Sequence, residues 1–426
     1  MNMRHKVSRG AEPKTFIGRV ESVDRHSEGK ASRFSFVIDA VDEGYDPDGH
    51  TRPVLEWDHE KFALIRVMTT FNKFAAMAGI SEIEPENLVG QWIALSLFPY
   101  GSVSGPLAQV CTLGEVGYDS VTKYVVGDIS NFGEDPDFPR TLSAAGDPLK
   151  KIASRLAKEG RISPPTISRH QCMELWRQLW IGKAQLKEIR VSDVGHANFT
   201  TIFDTNHEPV LHFDVGWPVG FNKRTLSGTP PAIVAAPFVI LSHWDWDHLH
   251  GYHVWKQLQD KIWVAPIQDM GPGASKVAHE LQKKGKLVSL PSSKKLAKCK
   301  SIFLGHCNPS HAKTKAKRRN NSGLFLGLRL ASGRVALLPG DADYRGISWP
   351  CTTAPDLLVV SHHGAAVSGG VQKPQNPNST AVISMGNGNV YRHPCLKTLK
   401  DHQRLGWKLV FTSKWKGVPR GDRVLS

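Results

Sequence analysis

An apolar run over 230–241 ends in Ser242-His243-Trp244-Asp245-Trp246-Asp247-His248-Leu249-His250-Gly251, which sets four metal-competent side chains into six residues. Residues 237–241 read as a buried strand, so the ligand-rich loop sits at a strand end. In α/β proteins, strand-end loops carry the metal and substrate chemistry. Histidines and aspartates this dense are poor core material, because a buried carboxylate is costly unless it is paired or coordinated. A metal site satisfies both constraints.

Three more strand ends carry ligands. The strand expected at 334–338 runs into Pro339-Gly340-Asp341-Ala342-Asp343, that at 356–360 into Ser361-His362-His363-Gly364, and that at 301–304 into Gly305-His306. Repetition of this placement converges ligands on one sheet edge. From 186 onward predicted strands and helices interleave, which suggests two sheets with helices outside. Residues 1–125 differ: short β-rich segments at 15–23, 34–40, 62–68 and 92–98, with one helix near 71–78, suit a small barrel of the oligonucleotide-binding type. Residues 126–186 read as a linker and helices, the latter at 149–158 and 168–182.

The order His-x-Asp-x-Asp-His, then Leu337-Leu338-Pro339-Gly340-Asp341-Ala342-Asp343, then Val360-Ser361-His362-His363-Gly364, resembles the metallo-β-lactamase superfamily. It is most similar to the hydrolase domain of DNA-uptake competence channel proteins. Asp193-Val194-Gly195-His196-Ala197-Asn198, His212-Phe213-Asp214-Val215-Gly216, Arg319-Asn320-Asn321-Ser322 and Tyr391-Arg392-His393-Pro394 resemble further motifs of that domain. The resemblance spans about residues 187–426. It implies an α/β fold, the αββα sandwich, beside a separate, smaller, mainly-β N-terminal domain.

The resemblance also implies two divalent metal ions. His243 and Asp245 would hold the first, Asp247 and His248 the second, and Asp341 would bridge them. One of His362 and His363 would complete the second site, and His306 would fill the remaining position of the first. Asp245 stands where the family usually has histidine. Its hard oxygen favours manganese, magnesium also fits, and zinc accepts carboxylates too. Asp247 would orient the attacking water and His393 would donate a proton or orient a phosphate. Trp244 and Trp246 are expected to pack beneath the loop, and Asp343 to support the bridge or lie in an exposed turn.

Fourteen of the net fifteen positive charges fall within residues 281–340, which hold no Asp or Glu. This run, from Lys283 to Arg319, either solvates a loop or binds a polyanion by phosphate contacts insensitive to sequence. Six scattered cysteines without a C-x-x-C pair argue against a disulfide framework, and no apolar run approaches a membrane span. A cytoplasmic protein without membrane contact is expected. The expected activity is a metal-dependent hydrolase, a phosphodiesterase or nuclease acting on nucleic acid, with the N-terminal module contacting a strand or a partner protein. The alternatives are a hydrolase of small phosphodiesters or acyl compounds, and a non-enzymatic scaffold.

Overall fold

The computed structural model describes residues 12–26, 32–44, 53–81, 84–136, 148–161, 185–226, 228–290, 292, 297–299, 301–349 and 353–426. The helix expected over 168–182 lies outside the described residues. Among these residues no helix is long and apolar enough to cross a membrane.

The N-terminal unit is a closed six-stranded barrel, β1 (Lys14–Arg25), β2 (Arg33–Asp42), β3 (Phe62–Thr70), β4 (Trp92–Pro99), β5 (Leu107–Thr112) and β6 (Thr122–Gly133), ordered β1-β2-β3-β5-β6-β4. Along β1, Phe16 and Val20 point into the barrel while Ile17 points out, the period-2 alternation of a strand. Helix α1 (Phe71–Met77) starts at Thr70, whose hydroxyl accepts from the Lys73 N–H. Its Phe74 stacks on Phe36 at 3.9 Å and plugs the barrel. Gly127 and Asp128, at the start of the expected linker, lie inside β6. A Cβ on Gly127 would sit 2.4 Å from the Phe98 ring, so glycine there permits close strand–ring packing rather than a turn.

Helix α2 (Pro148–Glu159) leads to two seven-stranded sheets. The first contains β7 (Leu186–Val191), β8 (Phe199–Asp204), β9 (Pro209–Val215), β10 (Phe238–Ile240), β11 (Ile262–Pro266) and β12 (Leu287–Leu290), with β20 (Arg423–Leu425) on the β7 edge. The second runs β13 (Ala297–Cys299), β14 (Ile302–His306), β15 (Leu324–Arg329), β16 (Val335–Leu338), β17 (Leu357–Val359), β18 (Thr380–Ile383) and β19 (Lys408–Phe411). Ile240 and Val264 of the first sheet share one buried cluster with Leu326, Ala336, Leu357 and Val382 of the second, so the sheets pack face to face. Their neighbours Val239, Trp263 and Leu358 point to the outer faces.

The ligand loop itself folds into two single-turn helices, α3 (Trp246–Leu249) and α4 (Gly251–Val254). Outer cover comes from α5 (Pro272–Lys283) on the first sheet and α7 (Leu396–Arg404) on the second, with α6 (Lys315–Asn321) before β15.

The barrel docks on α5. Ile17, Val41, Leu64 and Trp92 from the barrel join Ala274, Val277, Ala278 and Leu281 from α5 in one apolar cluster. Polar struts fix the register. Asp39 accepts from the backbone N–H groups of Gly273 and Ala274 at 2.8 and 3.0 Å, at the positive end of the α5 dipole. Lys276 donates to the carbonyls of Leu55 and Trp57.

Candidate metal centre

Each ligand-bearing segment begins where an apolar strand stops. β10 delivers His243 and then α3, which displays Asp247 and His248 on one turn; β16 delivers Asp341; β17 delivers His362 and His363. The loop lies so close to the end of β9 that a Cβ on Gly216 would fall 1.7 Å from the Asp247 carbonyl oxygen. Only glycine allows that approach.

Three imidazoles are tied from behind at Nδ1. His248 Nδ1 donates to Asp214 at 2.8 Å, His243 Nδ1 to the Ser242 hydroxyl at 3.0 Å, and His363 Nδ1 to the Ser384 carbonyl at 2.8 Å. Asp214 also accepts from the Ser242 backbone and hydroxyl. In each ring Nε2 is left facing the carboxylates. His248 Nε2 lies 3.1 Å from Asp341, His243 Nε2 lies 3.3 Å from Asp245 and 3.8 Å from Asp341, and His363 Nε2 lies 3.2 Å from Asp247. A carboxylate or carbonyl behind a histidine sets its tautomer and raises its basicity as a ligand. His243 Nε2 and Asp341 Oδ1 are buried without a hydrogen-bond partner, an arrangement that a cation would satisfy.

Two groups of ligand atoms lie within 4.8 Å of one another: His243, His248 and Asp341, and His196, Asp247 and His363. They adjoin, with 3.8 Å between His248 Nε2 and Asp247 Oδ1. His248 thus groups with His243 rather than with Asp247, and both histidines of the pair face the centre, since His362 Nε2 is 3.5 Å from Asp341. Neither group includes His306, which ends β14 opposite Leu324. His196 was not singled out as a ligand. The signal was there: it too follows a strand, β7, and both of its ring nitrogens are buried without a hydrogen-bond partner. Its ring lies 4.5 Å from that of His363.

Asp245 has a second partner. Its Oδ1 forms an ion pair with Arg319 Nη2 at 2.9 Å, and Arg319 also pairs with Glu21 of the barrel, which Arg19 meets at 3.1 Å. Arg319, expected as part of a free cationic run, is buried here. Lys315 of the same helix pairs with Glu134 of the barrel, and Lys317 donates to Ser368. Helix α6 therefore spends much of its charge on internal partners. Lys283 and Lys284 remain exposed; Lys294, Lys295 and Lys300 lie outside the described residues.

Electrostatics favour a carboxylate-rich centre. Burial pushes Asp341 up, but His362, His248 and His243 outweigh it and hold the carboxyl well below its ordinary range. Burial likewise lowers His248, and Asp341, Asp214 and Asp247 more than compensate, keeping it well above the usual imidazole value. His393 is held well below by burial and by His362 and His363. Its ring stands 5.3 Å from His362 and 5.7 Å from His196.

Backbone conformation is unusual at the same places. Asp214, His362 and His363 have φ of 58°, 51° and 52°, in the left-handed region that non-glycine residues rarely adopt. Such outliers persist where surrounding structure over-determines them, as at functional sites.

The remaining sequence candidates are structural. Asp343 is buried, accepting from the Asn321 side chain and the Ser368 backbone. Trp244 and Trp246 are buried under the loop, Trp244 donating to the Pro266 carbonyl. His250 accepts from the Tyr118 backbone N–H of the barrel unit and donates to the Trp217 carbonyl, so it is a strut between units.

The cavity over the centre is about 70 Å³, walled by the ligands on one side and by Glu21, Ser22, Asp24, Val37 and Leu64 of the barrel on the other. No family model matches the chain, and no curated protein matches it by sequence. Among solved structures the chain is similar to zinc-bound PqqB from Methylobacterium extorquens, at 10% identity over 56% of this chain and 99% of that one. The TM-score is 0.32, and a likeness that slight carries no argument.

Proposed function

We propose that the chain is a metal-dependent hydrolase of the metallo-β-lactamase type, with residues 187–426 as its hydrolase domain and residues 1–125 as the core of an accessory β module. The observation that carries this reading is the set of three imidazoles, each anchored at Nδ1 and each aiming Nε2 at a carboxylate. Hydrogen bonding alone would not require so many groups to face one point with buried atoms left over. His243, His248 and Asp341, with Asp245 beside them, would hold one divalent cation, and His196, Asp247 and His363 a second. Nitrogen and carboxylate donors in this mixture suit zinc or manganese, and magnesium less well. Bound metals of this kind supply Lewis acidity and a water of lowered pKa.

The chain's own residues do the rest. Asp247, part-exposed toward the cavity and held by His363, orients the water. His393, neutral in its buried setting, would orient a phosphoryl oxygen by donating its ring N–H. The substrate we infer is a phosphodiester, with nucleic acid first, on the strength of the motif order and the cationic character of the chain. The small cavity under the barrel specifically favours a second reading, a compact phosphodiester or acyl substrate. We expect the protein to act in the cytoplasm.

The test is cleavage of labelled single- and double-stranded DNA and RNA in manganese, magnesium or zinc, with Asp247→Ala as control. Cleavage by the native chain that disappears in the variant supports the nuclease reading. Intact nucleic acid under all three metals, with turnover of a small phosphodiester, would move the assignment to the second reading.

A further inference from the structure

Beside the metal centre, between the barrel and the segment bearing Tyr391 and His393, lies a second cavity of about 310 Å³. The barrel lends it Arg66 and His26; the other unit lends it Arg224 and Arg392. Its described lining contains no carboxylate. That absence is unusual, because Arg66 is only 7% exposed. A buried guanidinium without a counter-charge is strongly disfavoured unless something else supplies the negative charge.

The hydrogen-bond partners of Arg66 are neutral. Nε donates to the Ser35 hydroxyl at 2.8 Å, Nη1 to Gln109 Oε1 at 3.0 Å, and Nη2 to His26 Nε2 at 3.4 Å. His26 can accept because burial and the Arg66 charge hold it down at about 4. Asp24 acts on Arg66 through space without forming an ion pair. Among the described residues no carboxylate pairs with Arg224 or Arg392 either, and both are exposed toward solvent. The guanidinium of Arg66 is thus oriented by three neutral acceptors, with no carboxylate in direct contact.

The two cavities are flanked by the same two chain segments. At the end of β1, Asp24 lines the metal cavity and His26, two residues on, lines the arginine pocket. In the facing segment Tyr391 and His393 line the first, while Arg392 between them lines the second. Two residues of extended strand span about 6.6 Å, so a chain of linked phosphates can occupy both at once.

We propose that this arginine pocket binds a phosphate of the substrate, the one adjacent to the phosphodiester presented to the metal centre. Guanidinium groups suit this task because their fork of donors matches phosphate oxygens and stays charged at all working pH values. The assignment rests on the phosphodiesterase reading above, and it gives the barrel a role in that reaction: half of the pocket is barrel. It also locates a compact phosphate contact away from the lysine-rich run.

The experiment uses the full chain with chelator present, so that no cleavage occurs, and a short fluorescently labelled single-stranded DNA as probe. Anisotropy titrations across a salt series compare the native chain with Arg66→Gln and with the double variant Arg224→Gln/Arg392→Gln. Each lost phosphate contact should weaken binding about tenfold or more and flatten the dependence of log K on log salt by roughly 0.7–1 per contact. The double variant alters only exposed side chains, so it stays informative if Arg66→Gln fails to fold. Native affinity and native salt slope in the double variant would overturn the proposal, as would absence of binding by the native chain. Arginine-dependent binding without cleavage under any metal would leave the pocket standing and remove the nuclease reading. Cleavage with unchanged KM in the double variant would do the reverse.

Discussion

Replacing Arg319 by methionine should be among the most damaging single changes in the chain, and the damage should depend on Glu21. Arg319 and Glu21 have side chains only 7% exposed, and Arg319 Nη2 lies 2.9 Å from Asp245. Coulomb's law at an effective dielectric of about 20 gives roughly 6 kcal/mol of attraction at that distance. Desolvation of the charges offsets part of it, and breaking a buried pair typically costs about 3–5 kcal/mol because the partner is left uncompensated. Glu21 keeps Arg19 at 3.1 Å, so most of the loss falls on Asp245. Glu21→Gln alone should cost less, about 1–3 kcal/mol, by leaving a charged donor facing a neutral amide. The double variant Glu21→Gln/Arg319→Met removes both members of the inter-unit pair. It should be no less stable than Arg319→Met alone, a coupling of about 1–3 kcal/mol. Urea unfolding followed by tryptophan fluorescence measures all four proteins without adding ionic screening. Strictly additive losses would refute the reasoning, since they would mean that the two side chains do not share one electrostatic unit.

Three further outcomes are expected. Asp214→Asn removes the carboxylate behind His248 and should lower divalent-metal affinity about 10- to 100-fold in calorimetric titration; unchanged affinity would deny the anchoring role. His212, buried between Thr201 and the Ala236 N–H, is pushed down to about 3 from 6.5 by burial. The unfolded chain therefore takes up its proton first, so the stability contributed by His212 is complete above pH 6.5 and is lost as pH falls toward 3. Between pH 7.5 and 5 the native chain should lose about 2 kcal/mol more than His212→Gln in urea unfolding, and parallel pH profiles would count against this. Asp39→Ala leaves two N–H groups of α5 without acceptors and should cost about 1–3 kcal/mol. Faster amide exchange at Gly273 and Ala274 should accompany it, and native exchange rates there would mean that the strut is idle.

The legible parts of the centre share one local signature. His243, Asp341 and the His362-His363 pair each follow a short run of Val, Leu and Ile, and a buried strand announces its own end when polar residues begin. Asp214 and His196 carry the same signature more faintly, Asp214 near the end of β9 and His196 after β7, strands whose own polar residues blur the pattern. The end of β6 reads as linker because Asp128 opens a stretch rich in Asp, Gly and Pro, whereas pairing with β4 and the Phe98 ring against Gly127 decide otherwise.

Sequence by itself determined what periodicity and ligand chemistry can carry: two kinds of unit, the strand-end placement of histidines and carboxylates, and the confinement of positive charge to one region. Tertiary structure alone decided the partners. Arg319 is indistinguishable from Arg318 in any local window, yet one is buried between Glu21 and Asp245 while the other faces water. His250 sits in the ligand loop by sequence and serves as a strut to Tyr118 in space. Arg66, Arg224 and Arg392 are strangers along the chain and neighbours around one cavity. The reason is physical: strand and helix propensities act over a few residues, whereas the energy of a charge is set by whatever the fold brings within a few ångströms of it.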